Sequence, residues 1–154
     1  MKHEWKLFTD GACRNNPGPS SVGFALYHGT TMIHEGGYCV GIMTNNSAEY
    51  LALIIGGIEL RSHVPQGTPV TVYADSQLLI RQMIGEYKIK QPHLLQLATA
   101  ARQIMAPYAV EFVHVMREKN TIADAWANKA LDEKIQLPKL LAERLHAAGF
   151  IPKI

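Results

Sequence analysis

Very little in this sequence suits a secreted or membrane protein. It holds two cysteines, Cys13 and Cys39, in 154 residues. Two cannot build the multi-bridge framework on which small secreted domains depend. Reduced thiols are the simpler expectation, with a single Cys13–Cys39 bridge left open. No stretch stays apolar for the roughly 20 residues that a membrane helix needs. The opening MKHEWKLFTD lacks the apolar core of a secretory signal. A cytoplasmic chain with no membrane partner is therefore expected. Strong charge is missing too: 15 Lys and Arg face 13 Asp and Glu, for a formal net charge of +2. A basic nucleic-acid binder would normally carry more, so charge neither marks nor excludes that class. The histidines, His3 among them, show no paired ligand spacing, which argues against zinc. Repeats, low-complexity tracts and long linkers are absent. The length and the 47% hydrophobic content fit one domain with its own core.

What is present reads as alternating elements. Lys6–Thr9 predicts a strand ended by a turn at Asp10-Gly11. Asn15-Asn16-Pro17-Gly18-Pro19 is dense in turn formers. Val22–Tyr27 and Met32–Val40 predict two strands joined at His28-Gly29. Ala48, Leu51, Ala52 and Ile55 recur at helical spacing within Asn46–Arg61. Gly56-Gly57 inside that helix costs roughly 1 kcal/mol per glycine, a cost that close packing would rationalise. Val70–Ala74 and Val110–Val115 predict strands. Gln77–Ile84, His93–Ala106, Thr121–Glu133 and Pro138–Ala148 predict helices. Opening hairpins followed by strands and helices in alternation indicate an α/β fold with a mixed sheet and helices on its faces.

Three acids fall where a strand stops or a helix starts: Asp10, Asp75 and Asp124. Such positions are where α/β sheets build sites. Each also has an ordinary reading. Asp10-Gly11 suits a turn, Asp75-Ser76 a helix cap, and Asp124 the positive end of a helix. Glu49 is harder to explain away, because Ala48, Leu51 and Ala52 around it read as buried. Burying several carboxylates is costly unless a positive species neutralises them. No Lys or Arg adjoins Asp10, Glu49 or Asp75 in sequence. Oxygen-only donors suit hard divalent cations such as Mg²⁺ or Mn²⁺. Composition and spacing alone thus lead to a metal-dependent hydrolase as one candidate.

Four strings narrow the choice. They are Thr9-Asp10-Gly11-Ala12-Cys13 with Asn16-Pro17-Gly18-Pro19, Thr44-Asn45-Asn46-Ser47-Ala48-Glu49-Tyr50, Tyr73-Ala74-Asp75-Ser76-Gln77, and Arg117 through Asn128, ending Ala123-Asp124-Ala125-Trp126-Ala127-Asn128. In this order they resemble the motifs of the type 1 ribonuclease H (ribonuclease HI) family, over roughly Lys6 to Ala130. The resemblance implies a ribonuclease H-like fold: a mixed five-stranded sheet, its first three strands antiparallel, flanked by helices on both faces. Residues 1–136 would form that domain, with 137–154 a helical tail packed on it. The implied activity is hydrolysis of the RNA strand of RNA–DNA hybrids by a monomeric endonuclease using two Mg²⁺ or Mn²⁺ ions. It would leave 5′-phosphate and 3′-hydroxyl ends. Asp10, Glu49, Asp75 and Asp124 would hold the metals, with Asp10 between them. Asn16, Asn45 and Gln77, with the Gly11 and Cys13 backbone, would meet the 2′-hydroxyls that distinguish RNA. Thr44 and Asn46 would hold a phosphate of the DNA strand. Two other readings compete: another nuclease or integrase-like member of the fold, and a non-catalytic hybrid binder. The Asn45, Asn46 and Gln77 set argues against the first, and four intact acids against the second.

Two departures stand out. Many family members carry a Lys- and Arg-rich arm, where this chain has only Gly85-Glu86-Tyr87-Lys88-Ile89-Lys90. Weaker, salt-sensitive hybrid binding is expected, with Tyr87 either beside the DNA strand or partly buried. Many also carry a loop His before the fourth acid. Here the loop is short, and His114, in a predicted strand with Phe112 and Met116 on its face, is expected to be structural. Glu118 or Asn120 is a candidate stand-in for the loop His, and Arg117 a partner for a phosphate or a carboxylate. Leu137, Leu140, Leu141 and Leu145 form an apolar stripe expected to pack on the core.

Overall fold

The computed structural model describes residues 4–151; residues 1–3, with His3, and 152–154 lie outside it. The outer ends of the expected 1–136 and 137–154 segments therefore fall outside the described residues. Three long strands come first: β1 (Trp5–Cys13), β2 (Gly18–His28) and β3 (Thr31–Met43). Helix α1 (Asn45–Arg61) leads to β4 (Pro69–Ala74), α2 (Gln77–Met83), α3 (Pro92–Met105) and β5 (Ala109–His114). A 3-10 turn at Arg117–Lys119 precedes α4 (Thr121–Glu133), and α5 (Lys139–Ala147) follows. The sheet order is β3-β2-β1-β4-β5. β1, β2 and β3 pair antiparallel, whereas β1–β4 and β4–β5 are parallel. Parallel neighbours require crossovers. Here α1 supplies the first, and α2 with α3 the second.

The turn expected at Asp10-Gly11 is not there. β1 runs on to Cys13, paired to Ser20, and the chain reverses at residues 14–17. The hairpin ladder outweighs the local turn preference, and Gly11 has another use. A Cβ at Gly11 would lie 2.5 Å from the Ala48 carbonyl carbon, so glycine lets α1 approach the strand. β2 and β3 likewise extend beyond Val22–Tyr27 and Met32–Val40.

Helix α1 is the centre of the molecule, buried without a break from Ser47 to Gly57. Its glycines sit where close packing was expected. A Cβ at Gly56 would meet the Thr9 methyl at 2.9 Å, and one at Gly57 the Ile104 side chain at 2.9 Å. α1 is thus wedged between β1 and α3. Leu7, Phe24, Leu26, Tyr50, Leu51, Ile54, Ile55 and Leu97 are all at most 1% exposed and make up the middle of the core. Each such side chain contributes about 1.5–3 kcal/mol of burial.

α4 packs on the other face by a different means. Its fully buried residues are Ala123, Ala127 and Ala130. Opposite them stand Gly23 and Gly37, paired to each other on β2 and β3. A Cβ at Gly23 would lie 2.0 Å from the Ala123 carbonyl oxygen, and one at Gly37 2.6 Å from that of Trp126. The Ser21 hydroxyl donates to the Ala127 carbonyl oxygen. Helix backbone therefore lies directly on strand backbone.

After α4, Gln136 bridges to Cys39 at the outer strand, where the Cys39 amide donates to the Ile135 carbonyl at 2.7 Å. Leu137, Leu145 and Ile151 are buried in the core, and Leu141 packs against it. Leu140 departs from the expected stripe at 75% exposed. On so short a helix Leu141 and Leu145, one turn apart, face inward, which turns Leu140 to solvent.

Candidate active site

β1 and β4 are adjacent and parallel, with Thr9 beside Ala74. The next residues, Asp10 and Asp75, therefore leave neighbouring strands side by side. Asp10 shares a register position with Gly23, the residue on which α4 rests, so α4 brings Asp124 to the same end. From the opposite face α1 brings Glu49, whose Oε1 accepts from the Gly11 amide at 2.5 Å. Oxygen atoms of Asp10, Glu49 and Asp75 all lie within 4.8 Å of one another. Asp124 is outside that set but is in hydrogen-bond contact with Asp10. The Asn128 amide steadies Asp124, donating to its carbonyl at 3.0 Å and to its Oδ1 at 3.3 Å.

This concentration of acid is electrostatically unfavourable by itself. Asp10 is 7% exposed and Glu49 5%. Among the described residues, none of the ion pairs involves the four acids. Burial pushes the Asp10 carboxyl up to about 10, helped by the charges of Glu49 and Asp75 and by its contacts to Asp124 and Glu49. Burial also lifts Glu49, to about 7, against the opposing Gly11 hydrogen bond and the more distant pull of Arg117. A divalent cation would reverse the balance, because it neutralises the charge that burial penalises. The donor set of oxygens alone suits Mg²⁺ or Mn²⁺.

Asn120 is the residue whose role sequence reasoning missed. Considered only as a stand-in for the loop His, it is 1% exposed and cannot reach a departing product. Its Nδ2 donates to the Thr9 carbonyl at 2.9 Å and to Asp75 Oδ2 at 3.4 Å. It therefore ties β1 and the Asp75 carboxylate to the start of α4. Its place just before that helix reads as an N-cap, yet its side chain makes no cap bond. Glu118 is exposed on the 3-10 turn. His114 is exposed at the end of β5, so the expected packing role is not met.

The other predicted residues gather beside the acids. Gly11 and Cys13 are on β1, Asn16 is in the turn after it, Thr44 caps α1, and Asn45 and Asn46 open that helix. Thr44 Oγ1 accepts from the Ser47 amide at 3.2 Å. Asn16 Oδ1 accepts from the Asn45 amide at 2.9 Å, locking the turn to the helix. The Cys13 thiol donates to the Met43 carbonyl at 3.3 Å. Both cysteines are unbridged. Gln77 opens α2, two residues beyond Asp75, and is exposed, as are Asn16, Thr44, Asn45 and Asn46. Between α2 and α3, residues 84–91 form no helix and bring only Lys88 and Lys90. The basic arm is absent. Tyr87 lies against Arg81, its hydroxyl accepting at 2.7 Å and the guanidinium 5.1 Å from its ring.

Comparison with known proteins agrees with this arrangement. The profile of the reverse-transcriptase-like family matches residues 8–130. The ribonuclease HI of Halobacterium salinarum is 38% identical over 129 residues, covering 82% of this chain and 63% of that protein. A crystal structure of the RNase H1 from that organism superposes with a TM-score of 0.80 at 36% identity, over 84% of this chain and 98% of the other. The chain belongs to the type 1 ribonuclease H family. Its ribonuclease H fold also matches LC11-RNase H1, solved in complex with an RNA/DNA hybrid, with a TM-score of 0.78 at 36% identity over 85% of this chain and 99% of that one. A bifunctional protein of Mycobacterium tuberculosis is 37% identical over 131 residues, covering 82% of this chain. This ribonuclease H chain spans only 35% of that relative's length.

Proposed function

We propose that this chain is an endonuclease that hydrolyses the RNA strand of RNA–DNA hybrids with two divalent ions, Mg²⁺ or Mn²⁺. The observation that carries the proposal is the Asp10–Glu49–Asp75 cluster, two of its three acids buried, with none of the ion pairs among the described residues reaching it. Asp10, Glu49 and Asp75, with Asp124 at their edge, would hold the ions. Bound ions of this kind polarise water for attack on a phosphodiester and neutralise charge on the leaving oxygen. Breakage of the P–O3′ bond gives 5′-phosphate and 3′-hydroxyl ends.

The protein's own part is positioning. The Gly11 amide orients Glu49, Asn120 orients Asp75 and Asn128 orients Asp124. Discrimination of RNA falls to Asn16, Asn45 and Gln77 with the Gly11 and Cys13 backbone. With its Oδ1 held by Asn45, Asn16 keeps its amide nitrogen to donate to a 2′-hydroxyl. Thr44 and Asn46, at the positive end of α1, suit a phosphate of the DNA strand. All four acids come from one chain, which supports action as a monomer, and two unbridged thiols suit a reducing cytoplasm.

The test is an end-labelled RNA–DNA hybrid incubated with protein and either metal. We expect cuts in the RNA strand alone, none in EDTA, and no cleavage by Asp10→Asn although it still binds hybrid. Cleavage of the DNA strand, inactivity of the folded protein in both metals, or full activity of Asp10→Asn would refute the proposal.

A further inference from the structure

The geometry points to a second ligand site, for a single nucleoside monophosphate, on the sheet face beside the start of α4. A cavity of about 290 Å³ lies there, lined by Lys6, Phe8, Tyr27, Lys119, Asn120 and Thr121 among others. It is separate from the residues assigned to metal and hybrid, apart from Asn120 at its wall. The volume lies just below the usual span of small-molecule sites, roughly 300–1,000 Å³, and suits one nucleotide rather than a strand.

Both halves of a nucleotide find a matching surface. Tyr27, Phe8 and Tyr73 form an aromatic row across β2, β1 and β4. Phe8 stacks on Tyr73 with ring centroids 4.6 Å apart and meets Tyr27 edge-on at 5.7 Å. Such rows accept bases of any sequence because every base has a π face. None of the lining residues is acidic, and two are lysines. Among the described residues Lys6 is paired with Glu4 at 3.6 Å on the surface, a contact readily exchanged for phosphate. Thr121 and Ile122, the first residues of α4, also line the cavity, and no side chain caps that helix. Its first-turn amides and the two lysines thus offer charge to an anion beside the aromatic row. The wall residue Asn120 is 1% exposed, and its Oδ1 has no hydrogen-bond partner among the described residues. Its other end is the bond to Asp75, so an occupant would sit one residue from the anchor of the acid cluster.

The site stands or falls apart from nuclease activity, because it is tested without metal. In EDTA, 5′-AMP is titrated by calorimetry and by amide chemical shifts, against inorganic phosphate and the oligonucleotide (dT)8. We expect AMP to bind, with shifts centred on Lys6, Phe8 and Thr121 rather than on Asn45 and Gln77. Lys119→Glu, an exposed change, should weaken AMP at least tenfold at an unchanged melting temperature. Phe8→Leu, which keeps apolar volume but removes the ring, should weaken AMP at least threefold and leave phosphate unaffected. The assignment is overturned by absence of AMP binding, by phosphate binding as tightly as AMP, by indifference to Lys119→Glu, or by binding of (dT)8 without AMP.

Discussion

Without metal, the protein should lose stability as pH rises through neutrality, and Asp10 should be the cause. In the folded state its carboxyl is raised to about 10, chiefly by burial and then by Glu49 and Asp75. In the unfolded chain it returns to near 4. Between those values the folded state holds a proton that the unfolded state does not. Stability is therefore greatest below pH 4 as far as this group is concerned, and it declines as pH climbs toward the folded value. Each pH unit costs up to about 1.4 kcal/mol for one proton. From pH 5.5 to 8.0 the loss is about 3 kcal/mol. That is roughly 6–12 °C of melting temperature for a chain of this size. Glu49, raised to about 7, adds to the slope below neutrality. Scanning calorimetry in EDTA across this range measures it directly. Asp10→Asn should flatten most of the slope and melt higher than the parent at pH 8. Saturating Mn²⁺ should also flatten it, because metal binding takes the place of the proton. A melting temperature that is level or rising with pH, or an Asp10→Asn variant that keeps the parent's slope, would refute the reasoning.

Three further outcomes follow from the packing. Asn120→Ala removes the buried hydrogen bond to the Thr9 carbonyl, at about 1–3 kcal/mol, together with the contact to Asp75. Apparent Mn²⁺ affinity in a cleavage assay should fall roughly 10- to 100-fold while the KM for hybrid changes little. Gly23→Ala places a methyl 2.0 Å from the Ala123 carbonyl oxygen. α4 must shift, so the melting temperature should fall by several degrees and kcat by roughly 100-fold; parent-like kinetics would show that α4 has room. Removing the residues after Leu137 strips Leu145 and Ile151 from the core, at about 1.5–3 kcal/mol each. An unchanged melting temperature in that truncation would mean that the tail does not stabilise the core.

Much of this was legible in the sequence, and the failures are instructive. The acids could be found because each lies in a short ordered string whose neighbours, such as Ala48 and Tyr50 around Glu49, are plainly core. The helices were legible because they carry apolar spacing. Asp10-Gly11 misled because a turn glycine and a close-approach glycine look alike along the chain; only the path of α1 past β1 tells them apart. Asn120 was weighed for the wrong task because its partners, Thr9 and Asp75, are 111 and 45 residues away. Leu140 was misassigned although the helix was placed correctly, because a stripe of leucines does not say which of them face inward; Leu141 and Leu145 do, and Leu140 is left in solvent.

The seating of α4 on Gly23 and Gly37 bears on how variants of this protein should be read. The fourth acid is held in place by two side chains that do not exist, more than 80 positions away along the chain. A survey that checks only whether the acids are present would pass Gly23→Ala as intact. The missing side chains at Gly23 and Gly37 are as much a part of the site as the carboxylate they help to place.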